Sequence, residues 1–143
     1  MDRNIPIQNR RTGVLINYFA LIMALVFFEL TKYGIGLPYW VGFTIAGLFL
    51  LILILSFIQV YIKSGLWRLT HKKTVNLDER EIQVVTHAIR ISYSIFVIIV
   101  ILLVYLFAIL GLGVIDVVIA AALLYLAHII PASILAWTEK EVY

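Results

Sequence analysis

Apolar side chains fill four stretches of this chain, Gly13 to Lys32, Trp40 to Ile62, Ile91 to Leu110 and Val114 to Trp137, and polar residues gather between them. Each stretch has about the twenty residues that an α-helix needs to cross a hydrocarbon core of roughly 30 Å. Tyr33-Gly-Ile-Gly-Leu-Pro-Tyr-Trp40 reads as a tight turn, in which Gly34, Gly36 and Pro38 stop one helix and Tyr39 and Trp40 anchor the next at the interface. Gly111-Leu-Gly113 turns the chain a second time. Met1 to Thr12 reads as a short polar arm where Pro6 argues against a long helix, and Lys63 to Arg90 is the one sizeable polar region.

The third stretch starts before its apolar run. Asn76-Leu-Asp-Glu-Arg-Glu81 places Asp78, Glu79 and Glu81 where a helix N-terminus favours negative charge, and Asn76 with Glu79 has capping-box spacing. A helix is therefore expected from near Leu77 to Leu110, about 34 residues and about 50 Å long, with its first three turns outside the bilayer. The predicted fold is all-α and polytopic, a single domain over 1–143 with spans at about 13–33, 40–63, 77–110 and 114–137. Their order is an up-down-up-down bundle whose long third helix extends into the cytoplasm from the loop 64–90. Ile82, Val85 and Ile89 give that extension an apolar stripe that needs a surface to dock on.

Composition agrees with this pattern. The chain is 64% hydrophobic and 13% charged with a mean hydropathy of +1.07, against roughly 45–50% apolar and about 25% charged in soluble domains. The absence of cysteine excludes disulfides, a thiolate nucleophile and a cysteine metal site. The net charge of +3 is modest, and its placement is informative. Ten of the eleven Lys and Arg fall in the N-terminal arm, the central region through Arg90 and the tail, and only Lys32 falls on the other side. The positive-inside rule then predicts both termini and the 64–90 loop in the cytoplasm of a multi-pass cell-membrane protein. Basic residues so placed set orientation and meet anionic lipid headgroups; they do not imply nucleic acid. The first apolar run follows Arg10 and Arg11 as in a signal peptide, but its length and the lack of a small-residue cleavage site predict a retained helix.

Polar side chains at membrane depth are the candidates for chemistry. Glu29 lies three residues before Lys32 near the outer boundary, where a local ion pair is the structural reading and a transport carboxylate the functional one. His128, about 13 Å from the inner interface by helical rise, is the ionisable group expected nearest the midplane. Pro131 follows it and frees the Ala127 carbonyl. Ala121, Tyr125, His128, Ala132 and Ala136 recur at helical spacing, so one face of the fourth helix is small and polar and should point into the bundle. His128 then either donates to a neighbour as a structural histidine or relays protons, with Tyr125 beside it. His71 and His87 lie in the polar region, expected far from His128, so no three-histidine metal site is predicted. Asp116 suits the start of the fourth helix. Asn17, Ser56, Gln59, Ser92 and Ser94 could line an inward vestibule.

No phosphate loop, His-Glu-x-x-His, Gly-x-Ser-x-Gly or acid pair at hydrolase spacing is present, so neither enzymatic activity nor a cofactor is expected. The remaining chemistry is interaction. Asp78, Glu79, Arg80 and Glu81 at the start of the third helix, with Arg68, Lys72 and Lys73 before it, form a cytoplasmic surface for a protein partner, another copy of the chain or anionic lipid. The alternative is a small oligomeric transporter or pore with His128 in its path.

Asn76-Leu-Asp-Glu-Arg-Glu-Ile82 running into a membrane helix resembles the Asp-Glu-Arg-Glu junction of small uncharacterised prokaryotic integral membrane proteins of the domain-of-unknown-function type. His128-Ile-Ile-Pro-Ala-Ser-Ile-Leu-Ala-Trp-Thr-Glu-Lys-Glu141 is similar to a C-terminus that recurs among bacterial membrane proteins. The resemblance covers about a third of the chain and implies a bacterial inner membrane, without an activity.

Overall fold

The computed structural model describes residues 6–34, 36–72 and 77–139. They form helices α1 (Ile7–Lys32), α2 (Tyr39–Phe57, continued by a wider turn over Ile58–Ile62), α3 (Leu66–His71), α4 (Glu79–Leu110) and α5 (Val117–Thr138). Four of these, α1, α2 with its extension, α4 and α5, are long and apolar enough to cross a membrane, which makes this an all-α, multi-pass membrane protein. Two compact units contain them, 6–65 and 66–139.

The first unit is an antiparallel hairpin of α1 and α2. α1 begins directly after Pro6, earlier than the sequence suggested, because proline at a helix start removes only an N–H that has no intrahelical acceptor. At the turn end Gly42 meets Thr31, and a Cβ built on Gly42 would overlap the Thr31 hydroxyl. At the open end Gly13 meets Val60 in the same way. Lipid is as apolar as leucine, so close backbone approach rather than water exclusion holds such a pair together. Midway, Asn17 is fully buried and its Nδ2 donates to the Leu53 carbonyl at 3.1 Å and to Ser56 Oγ at 2.8 Å. Ser56 Oγ donates in turn to the Leu53 carbonyl at 2.9 Å. The rings of Phe19 and Phe27 pack against Phe49, and Phe28 against Phe43. Beyond Phe57 the Lys63 N–H donates to the Ile58 carbonyl at 3.0 Å, five residues back, so α2 ends in a π-turn.

The second unit packs α3 and the α4–α5 hairpin together. α4 starts at Glu79 with Asp78 as its cap. Asp78 Oδ1 accepts from the Glu81 N–H at 2.7 Å, and Glu81 Oε2 accepts from the Asp78 N–H at 3.2 Å. The capping box thus sits two residues later than the Asn76–Glu79 pair read from sequence, and Asn76 lies outside the described residues. Gly111, with φ 61°, closes α4 in the left-handed conformation that side chains with a Cβ rarely adopt. Asp116 lies just before α5 and caps it, accepting from Val118 N–H and Ile119 N–H at 3.0 Å, so α5 begins at Val117 and not at Val114. Replacing Asp78 with Ala leaves the Glu81 N–H without its side-chain acceptor and is expected to cost about 1 kcal/mol. Hydrogen exchange should show faster opening confined to the start of α4. Unchanged protection there would contradict the capping role.

Candidate functional site

The charged residues singled out in the sequence converge at the open end of the second unit. Lys72 Nζ lies 3.2 Å from Glu81 Oε2, which ties the end of α3 to the capping box of α4. Arg80 pairs with Glu139 at 3.7 Å, joining the start of α4 to the end of α5. Asp78, Glu79, Arg80 and Arg68 are exposed. Lys73 lies outside the described residues. Each pair joins an exposed cation to a half-buried carboxylate and is worth about 1 kcal/mol or less, so their importance is geometric.

The apolar stripe of α4 does dock, though not on the expected face. Val85, Ala88 and Ser92 are buried while Ile89 is 50% exposed. α4 packs on α5, on which Ala132 and Ala136 are fully buried, and small residues let the two helices approach closely. A cleft of about 300 Å³ opens beside this contact, lined by Gln83, Val84, His87, Ala88, Ile134, Thr138 and Glu139. Gln83 and His87 were not singled out by sequence, because on a solvated helical turn they look like any surface residue.

The Arg80–Glu139 pair joins α4 to α5, and equal rises along the two antiparallel helices place His128 level with about Ile91. His128 and Ala121 are exposed, while Tyr125 one turn away is half-buried. One expectation about His128 is corrected, its distance from His71. The two rings are parallel, 2° apart in orientation, with centroids 6.3 Å apart, and Trp67 stacks on the other side of His71 at 4.0 Å. Leu66 is fully buried and pins the helical turn that brings His71 against α5.

A backbone carbonyl can only accept, so the tautomers follow from the contacts. His128 Nδ1 donates to the Leu124 carbonyl at 2.8 Å and His71 Nδ1 to the Trp67 carbonyl at 2.9 Å. Among the described residues no cluster of three His, Asp or Glu could hold a metal ion. No family model, curated protein or solved structure matches this chain. The site must therefore be read from its own geometry.

Glu29 belongs to the first unit. Its Oε2 lies 3.5 Å from Lys32 Nζ, the local i,i+3 pair that the spacing predicted, and Lys32 also sits 5.3 Å above the Tyr33 ring. Asn17 and Ser56 bond one another, and Ser92 Oγ and Ser94 Oγ donate to carbonyls four residues back on their own helix. His128→Gln is expected to leave folding and oligomeric state unchanged, since the ring is exposed and its bond to Leu124 is local. Size-exclusion profile and thermal midpoint read this out, and a loss of the folded peak would show that the His71–His128 stack holds α3 in place.

Proposed function

We propose that this chain is a non-enzymatic accessory protein of a bacterial inner membrane, with its termini cytoplasmic, whose α3–α4–α5 platform engages a partner protein. The observation that carries this reading is the order of the platform. Three helix ends are joined by Lys72–Glu81, by Arg80–Glu139 and by a complete capping box; Glu79 and Arg68 are exposed, and Glu139 lines a cleft between α4 and α5. Arg80 and Glu139 hold one another at the edge of this cleft, and such preorganisation favours protein recognition because it lowers the ordering cost at binding. The stacking of His128 on His71 of the polar segment favours this reading over an intramembrane proton relay.

A photo-crosslinking residue at Gln83, in the intact membrane, tests the proposal. One discrete adduct is expected, and Glu79→Lys should abolish it by reversing a charge at the platform. An adduct that survives the reversal, or none at all, overturns the reading. The orientation has its own check: Leu37→Cys in this cysteine-free chain should label from outside intact cells and Arg68→Cys should not.

A further inference from the structure

The open end of the first unit holds a cleft of about 730 Å³ between α1 and the end of α2, and its lining changes character along its length. At the mouth stand Asn9, Arg10, Gln59 and Lys63; deeper, the walls are Ile16, Ile52 and Leu55. Arg10 is only 3% exposed, so its guanidinium is held in place and does not trail into solvent. With five donors it can serve a ligand in addition to its contacts within the chain. The first turn of α1 adds positive potential, because Pro6 supplies no side-chain cap and no acidic residue lies in that turn. No acidic side chain lines the cleft among the described residues.

From the mouth to the deep wall is about 9 Å along α1, from Arg10 to Ile16, and about 16 Å along α2, from Lys63 to Ile52. That depth runs from headgroup level into the upper acyl region. The π-turn over Ile58–Ile62 adds a residue to the last turn of α2 and turns Gln59 and Lys63 toward this side, while Gly13 and Val60 close the helices alongside it.

We propose that this cleft binds one anionic phospholipid from the leaflet on the N-terminal side. Its phosphate sits between Arg10, Lys63 and the start of α1, and one acyl chain lies along Ile16, Ile52 and Leu55. Free phosphate would use the mouth and leave the apolar wall empty. A choline headgroup would set a quaternary ammonium against the same two cations. The inference is independent of the platform reading, which concerns the other unit.

The test is lipid retention by the purified full chain in neutral detergent, read by native mass spectrometry and by lipid titration of the thermal midpoint. Dioleoyl-phosphatidylglycerol is expected to bind at least about tenfold more tightly than dioleoyl-phosphatidylcholine, since a charge-assisted contact is worth at least about a factor of ten. Lys63→Gln and Arg10→Gln should each weaken phosphatidylglycerol by about tenfold. Ile52→Trp, which fills the deep wall, should weaken it as well, and inorganic phosphate should not displace it. Arg90→Gln on α4 should change nothing. Equal binding of the two lipids, displacement by inorganic phosphate, wild-type binding by both Lys63→Gln and Ile52→Trp, or an equal loss in Arg90→Gln would each overturn the site. Lys63 is exposed, so its variant remains a test even where Arg10→Gln fails to fold.

Discussion

Gly42→Ala is expected to lower the stability of the α1–α2 hairpin by about 1–3 kcal/mol, the usual cost of adding a methyl to a filled contact. The new Cβ would overlap the Thr31 side chain, which is 1% exposed and whose Oγ1 donates to the Phe27 carbonyl at 2.6 Å. Thr31 has only two rotamers open to it in a helix, and its Cβ and Cγ2 also lie within about 3 Å of the new methyl, so a rotamer change does not clear the contact and the helices must shift apart. Gly47→Ala in the same helix is the control. Nothing lies within 4 Å of a Cβ built there, and stability should stay within about 1 kcal/mol of wild type, on the favourable side if helix propensity counts. Thr31→Ala combined with Gly42→Ala should recover most of the loss. Equilibrium unfolding in mixed micelles measures all three, and equal effects at Gly42 and Gly47 would refute the close-approach account.

Asn17→Leu is the second large effect. It removes a fully buried amide that donates to both the Leu53 carbonyl and Ser56 Oγ. Within a membrane such an interhelical bond is worth about 0.5–1.7 kcal/mol, and the variant also forces a bulkier tip into a packed site, so a loss of about 2 kcal/mol is expected. Ser56→Ala should cost less, because the Leu53 carbonyl still accepts from Asn17. A double-mutant cycle on Asn17 and Ser56 isolates their coupling, expected at about 0.5–1.5 kcal/mol in favour of the pair. Zero coupling would mean that Asn17 acts through the carbonyl alone. A gain in stability for Asn17→Leu would instead mark the polar clamp as kept for a reason other than folding.

Both predictions concern residues that look ordinary in the chain. Gly13, Asn17 and Gly42 are single small or polar positions in apolar runs, and nothing in their spacing says which helix they face. Once α1 and α2 are paired, each meets a specific partner, Val60, Ser56 and Thr31. Arg10 is a similar case. In the sequence it is a flanking charge that helps set orientation; in the structure it is a buried wall of a cleft.

The number of spanning helices, their approximate limits and the Glu29–Lys32 pair follow from the chain alone, because hydrocarbon thickness, helical rise and i,i+3 spacing are local or one-dimensional constraints. Helix ends were legible to within a few residues: α4 and α5 begin where the Asp78 and Asp116 side chains reach the free N–H groups, and α1 begins directly after Pro6 without a side-chain cap. The surroundings of His128 were not legible. Its depth depends on the register of α5 against α4, and its stacking partner arrives on α3, a turn 57 residues earlier in the chain that packs because Leu66 finds a buried place. Spacing along one helix orders the side chains on that helix. Which neighbour they meet, and at what height, is decided by inter-helix packing that depends on side-chain shape on both partners at once.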